Sequence, residues 1–196
     1  MSSTVPKDKS RRSLDDLDWP IEFILAQHAQ WVESEGREGG PADLTDLDLR
    51  GCVSLARRAL TALIAPGAIF EGVDLEGALL QGSNLRGADL RHAKLAGADL
   101  RGADLSAAQL SHADLRGARL GPLLISDARL LPTRLDKVNA RHANFIGAEL
   151  RRARLVEADL IEADFRGCDL HGSDLSGAVL TATKLPHDDQ RPHGVP

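Results

Sequence analysis

The sequence predicts an all-β solenoid, a square coil wound repeatedly around a thin apolar interior, and three observations carry that prediction. Counted in fives from Phe70, a central residue recurs at 70, 75, 80 and onward to 185, giving 24 units without an insertion, 19 of them centred on Leu. Two residues before the centre the side chain is small in 21 of the 24, the exceptions being Val73, Leu123 and Val138. The last position of the unit is Gly in 11 of the 24, which suits a tight turn of positive φ.

Together these dictate the coil. The small residue and the centre both want the interior, with a mostly polar residue between them, so each unit alternates as a strand of about three residues does. The unit must then turn at once. One unit makes a side and a corner, and four make a coil of 20 residues. Stacking at about 4.8 Å per coil gives six coils over residues 68–187, a rod on the order of 29 Å. The expected internal ladder includes Leu75, Leu80, Leu85, Leu90, Leu95, Leu100, Leu105, Leu115, Phe145 and Phe165. With four Phe, two Trp and no Tyr in 196 residues, the interior has to be filled by Leu and Ala.

The remaining segments follow in chain order. Residues 1–17 read as a flexible N-terminus. "DWPIEFILAQHAQWVES" reads as a helix, with Asp18 to cap it, Pro20 in its first turn, and Ile21, Ile24, Leu25, His28, Trp31 and Val32 on one face. Such a face needs a surface to cover, and the open end of the first coil offers one, so residues 18–67 read as an N-terminal α-helical cap. "SEGREGGP" reads as a flexible loop. Two early repeats centred on Leu44 and Leu49 are one residue out of phase with the later run, which requires an insertion between Gly51 and Pro66. "VSLARRALTALI" is favoured as a second helix; the alternative is degenerate repeats on Leu55 and Leu60. Residues 188–196 read as a disordered tail.

"GADLRGADL" and "EADLIEADF" resemble the A(D/N)LXX consensus of the pentapeptide repeat proteins over residues 68–187. The resemblance implies a right-handed quadrilateral β-helix. It implies little about activity. The best understood members bind bacterial DNA gyrase, a type II topoisomerase, and protect it from inhibitors by presenting a DNA-like acidic surface. A bacterial source and a role in antibiotic resistance are implied on the same ground.

No residue set points to catalysis. There is no glycine-rich phosphate loop and no predictable Ser–His–acid or Cys–His set, and a convex rod offers no evident cleft, so the protein is expected not to be an enzyme and to use no cofactor, metal or small-molecule substrate. His92 and His112 lie one coil apart on one corner, but the column then continues to Pro132 and Arg152, and the pair reads as two solvated residues. Cys52 and Cys168 form no disulfide framework, and no apolar run suits a signal peptide or a membrane span, so a cytoplasmic setting is expected.

Charge is distributed in stripes. Residues 68–115 hold seven acids and four bases, 116–156 hold nine bases and three acids, and 157–187 hold six acids and two bases. One expected outward column is Asp74, Lys94, Asp114, Arg134, Arg154 and Asp174. No long face is strongly acidic, which departs from the DNA-mimic pattern, and without stacking aromatics direct nucleic-acid binding is not expected. The basic stripe overlaps the least regular repeats, "GPLLISDARLLPTRLDKVNARH". Arg119, Leu124, Arg129, Leu131, Arg134, Lys137, Arg141, Arg151 and Arg154 are therefore the expected partner surface. The last coil has no covering helix, so a homodimer through Val179, Leu180 and Leu185 is expected. Two functions follow: a gyrase-binding protection or regulatory factor, or a general protein-interaction scaffold.

Overall fold

In the computed structural model, which describes residues 12–51 and 54–187, the chain rises as a four-sided stack in which each side pairs in parallel with the side 20 residues ahead. Asp74 pairs with Lys94, Leu79 with Asp99, Asn84 with Asp104 and Asp89 with Gln109, one pair on each side. The central leucine donates its N–H to the next coil, as Leu75 does to the Lys94 carbonyl at 2.8 Å, and each corner closes on itself, as Ala78 does on Leu75 at 3.0 Å. The backbone groups of the thin wall are thus bonded partly to the neighbouring coils and partly within their own corner. Inside, all ten residues of the expected ladder are buried, and the Phe145 and Phe165 rings stack at 4.5 Å.

The corner conformation is imposed by the coil. Gly97 and Gly102 turn through φ of 65° and 69°, but His92, His112 and His142 do so as well, at 57°, 61° and 57°. Thirteen non-glycine residues among those described adopt positive φ. A left-handed φ costs about 1–2 kcal/mol in a residue bearing a Cβ. The ladder of bonds and the leucine core outweigh that cost at each such corner.

Three expectations about the ends need correction. Residues 54–66 are degenerate repeats, with Leu55 and Leu60 buried and Ala59 paired to Leu79, and no helix forms there. The apolar residues of "VSLARRALTALI" satisfy a 3.6-residue period and a 5-residue period equally, and pairing with the coil above decides between them. The extra residue shows as a change of spacing: Asp48 pairs with Ile69, 21 ahead, whereas Ala59 pairs 20 ahead. Residues 12–17 are part of the fold, since Arg12 bridges Leu47 and a 3-10 turn follows at Leu14–Asp16. Residues 1–11, Cys52 and the tail at 188–196 lie outside the described residues.

The N-terminal helix, α1 (Ile21–Glu33), begins at Pro20 without a side-chain cap, so Asp18 does not serve as one. It lies against the first coil through buried Leu25 and His28, and Glu22 reaches Arg58 at 2.8 Å. His28 is fully buried. Its Nδ1 accepts the Ala42 N–H at 3.0 Å, its ring stacks on Trp31, and its Nε2 has no hydrogen-bond partner.

Burial holds the His28 imidazolium below its ordinary 6.5, and the nearby carbonyls of Leu60 and Thr61 offset this only in part. The unfolded chain therefore takes up a proton at about pH 6.5 while the folded one resists it. Stability is full above that pH and falls as the pH drops toward the lowered folded value. The denaturation midpoint is expected to decrease between pH 7.5 and 5.5, and the decrease should shrink in His28→Leu.

Candidate functional site

Within residues 54–187 the four-sided stack is interrupted by a hairpin. After Leu120 the chain leaves its corner, runs out as β1 (Leu123–Ser126), returns as β2 (Arg129–Leu131) and re-enters at Thr133. Pairing across the rod jumps accordingly: Asp104 meets Arg134 and Asp114 meets Asn144, 30 residues ahead instead of 20. The units centred on Ile125 and Leu130 thus stand outside the rod, correcting the expectation of 24 uninterrupted units.

Local chemistry accounts for the exit. Pro122 and Pro132 flank the hairpin at positions where the regular corner needs positive φ, which proline cannot adopt. Leu123 is too large for the small-residue slot. At the base, Leu123 and Leu131 pack over Gly102, where a Cβ would stand 2.7 Å from Leu123 Cβ. The re-entry point is fastened by buried Thr133, whose hydroxyl accepts the Gly102 N–H at 2.9 Å and lies 2.7 Å from the Gly121 carbonyl oxygen as donor. The strands then project Leu124, Ile125 and Leu130 into solvent, 62%, 50% and 42% exposed.

The expected partner surface divides in space. Leu124 and Arg129 are exposed on the hairpin, while Leu131 turns back onto the rod. Arg134 and Arg154 stack on the adjoining face and share Asp136, at 3.4 and 3.3 Å. With Arg86 and Ser106 they line a shallow depression, and Lys137 at its rim reaches Glu157 at 3.5 Å. Arg151 lies on the hairpin's own corner, 3.2 Å from Asp169. Arg119 stands on the preceding face between Asp99 and Glu149 at 3.1 and 3.5 Å. Arg141 sits on the diagonally opposite corner, paired with Asp159 at 3.2 Å. Val179 is exposed on the last described coil, with Leu180 and Leu185 half-buried beside it.

Displacement by the hairpin also redraws the charge columns. The expected run Asp74, Lys94, Asp114, Arg134 is broken: Asp114 continues to Asn144, Asp164 and Lys184, while Arg134 and Arg154 lie between Asp104 and Asp174. On the opposite corner it puts His142, not Pro132, next to His112. The His92, His112 and His142 rings stack at 5.1 and 4.7 Å.

Carboxylates along the rod are engaged locally. In "ADLR" units the aspartate accepts the backbone N–H two residues on and grips the same arginine's guanidinium, as Asp89 grips Arg91 at 2.6 Å. Burial alone would raise the Asp99 pKa. Hydrogen bonds from Arg101 and the charges of Arg101 and Arg119 outweigh it and hold the carboxyl below its ordinary range. Such pairing screens these aspartates from a distant partner, and among the described residues the columns of stacked neighbours mix acids with bases and neutral residues.

Nothing in the five-residue count could reveal the hairpin. Ten extra residues are two whole repeats, so the phase of the leucines survives the excursion. The available signals were the prolines at two corners and Leu123 in a small-residue slot. No helix among the described residues is long and apolar enough to cross a membrane.

Comparison with known proteins follows the same outline. The model of pentapeptide repeats matches in eight copies over residues 68–106, 83–121 and 133–172, stopping on either side of the hairpin. No curated protein matches the chain. Among solved structures, Rfr23, a pentapeptide repeat protein of the cyanobacterium Cyanothece 51142, is 28% identical over 55% of this chain and 63% of its own, with a TM-score of 0.27. The alignment thus spans less than two thirds of that neighbour. HetL of Nostoc, involved in heterocyst differentiation regulation, is 25% identical over 74% and 83%, with a TM-score of 0.28. QnrB1, a plasmid-mediated fluoroquinolone resistance protein, is 17% identical over 71% and 60%, with a TM-score of 0.46.

Proposed function

The chain belongs to the pentapeptide repeat family, and from that premise we propose that it is a non-enzymatic protein-binding rod. In this reading the coil is right-handed, α1 caps its N-terminal end, and a partner is gripped by the β1–β2 hairpin and the arginine-bearing face beside it. The observation that carries the reading is the exposure of Leu124, Ile125 and Leu130 where the hairpin leaves the rod. An apolar cluster raised from a polar surface, with Arg129 on the same hairpin and Arg134 and Arg154 on the adjoining face, has the composition of an interface, apolar at the centre and cationic beside it.

DNA gyrase is the most specific partner to test. The family resemblance supports it, and the mixed, internally paired charges do not support contact through DNA mimicry. Contact through the hairpin needs no acidic strip, and serves equally for a scaffold with another partner. The exposed Val179 on the last coil supports a homodimer there.

The experiment is gyrase supercoiling across a titration of the protein, with and without a cleavage-stabilising inhibitor. It should be repeated with a variant in which one glycine replaces residues 122–132, restoring a two-residue corner, Gly121 and the new glycine, between Leu120 and Thr133. The expected result is inhibition, or rescue from the inhibitor, by the natural chain and loss of both in the variant, whose circular dichroism stays that of the rod. An effect that survives in the variant would overturn the hairpin's role. No effect of the natural chain at micromolar concentration would remove gyrase and leave the scaffold reading.

A further inference from the structure

We propose that the corner diagonally opposite the hairpin binds a divalent transition ion, zinc being the ion its donors suit. The hairpin takes ten residues out of the stack, so the corner column reads His92, His112, His142, Glu162, four potential ligands on successive coils. The three imidazoles stack at 5.1 and 4.7 Å with their planes within 4° and 7° of parallel, and the Glu162 carboxylate lies 3.3 Å from His142 Nδ1. Imidazole nitrogens and one carboxylate are the donor set zinc takes in protein sites.

The corner also removes the usual competitors. Arg91 and Arg141, on the flanking position of the same corner, are held by Asp89 at 2.6 Å and by Asp159 at 3.2 Å, so both cations are neutralised beside the column. Positive φ at all three histidines fixes their Cα–Cβ bonds in one row, one coil apart.

At rest the rings are parallel, and no three donors among the described residues converge on a point. Two nitrogens on one tetrahedral zinc stand roughly 3.3 Å apart, at bonds of about 2.0–2.1 Å. Neighbouring rings must therefore tilt together by roughly an ångström or more. The His142 side chain is 42% exposed and His92 and His112 are exposed, so rotation about their own side-chain bonds supplies this without moving the coil. The ion is gathered by its ligands, with His112 at the centre of the column common to any arrangement.

The test is a titration of the full chain with zinc chloride, followed by calorimetry and by the histidine ring resonances. The expected result is saturable binding of one ion per chain, with shifts at His92, His112 and His142 and none at His171, which pairs with Asp169 on another corner. His112→Ala and His142→Ala should each weaken binding by about tenfold or more, the loss of roughly 1.4 kcal/mol or more of ligand energy. His171→Ala should leave binding unchanged. Alanine already occupies this corner position at Ala107 and Ala182 with φ of 60° and 56°, so the variants keep the fold, which thermal melts in chelator verify. The proposal is overturned if millimolar zinc gives neither heat nor ring shifts, or if both corner variants bind as the natural chain does.

Discussion

Phe145→Ala is expected to lower the stability of the rod by about 3–5 kcal/mol, the range for removing a fully buried ring. Phe145 is fully buried and its ring stacks on Phe165 at 4.5 Å and 8°, in a column that is otherwise leucine. Alanine would leave a void one ring in size in a wall too regular to collapse around it. In a stacked coil each layer holds only its neighbours, so the loss should open the chain from this coil toward the C-terminus. Cys168 reports on that opening. Its thiol donates to the Phe145 carbonyl at 2.7 Å, and burial pushes its pKa up to about 12, so it is unreactive in the closed rod. Chemical denaturation should show the lower midpoint, and thiol labelling read at Cys168 by mass spectrometry should accelerate at neutral pH. Leu124→Ala, on the exposed hairpin, should change stability by no more than about 0.5 kcal/mol.

The ladder that includes Phe145 was legible because a core of stacked identical sites writes its period directly into the chain. Every centre from Leu75 to Leu120 sits where the count of five puts it. The same regularity hid what breaks it. An excursion of two whole repeats preserves phase, so Ile125 and Leu130 look like core centres and stand in solvent. Everything that depends on which residues are stacked neighbours then shifts beyond Leu120. Asp114 lies beside Asn144 instead of Arg134, and His112 beside His142 instead of Pro132. Spacing along the chain therefore predicts the interior of each coil. It predicts the surface columns only where no loop intervenes, and the partner surface and the histidine column both lie across that loop.

Gly39→Val is expected to detach α1 from the rod at a cost on the order of 2–4 kcal/mol, combining a left-handed backbone bearing a Cβ with a collision that cannot relax. "SEGREGGP" looks like a flexible connection by composition, yet the chain here turns back against the helix it has just left. Ser34 is bonded to the Glu38 backbone at both its N–H and carbonyl, Glu38 holds Gln30 at 2.8 Å, and Gly40 donates to the Gln27 carbonyl. At Gly39, φ is +73°, and a Cβ would strike the Gln27 carbonyl oxygen and stand 2.9 Å from the Trp31 nitrogen. Both are helix backbone, so no side chain can swing aside. This close approach delivers Ala42 to His28, and losing it exposes the imidazole. Two readouts should move together: helical circular dichroism from the 13 residues of α1 should decrease, and the pH dependence assigned to His28 should flatten. Gly40→Ala serves as control, since a Cβ there meets nothing within 4 Å. A Gly39→Val chain that kept both the helical signal and the pH dependence would show that α1 is held by its apolar face alone.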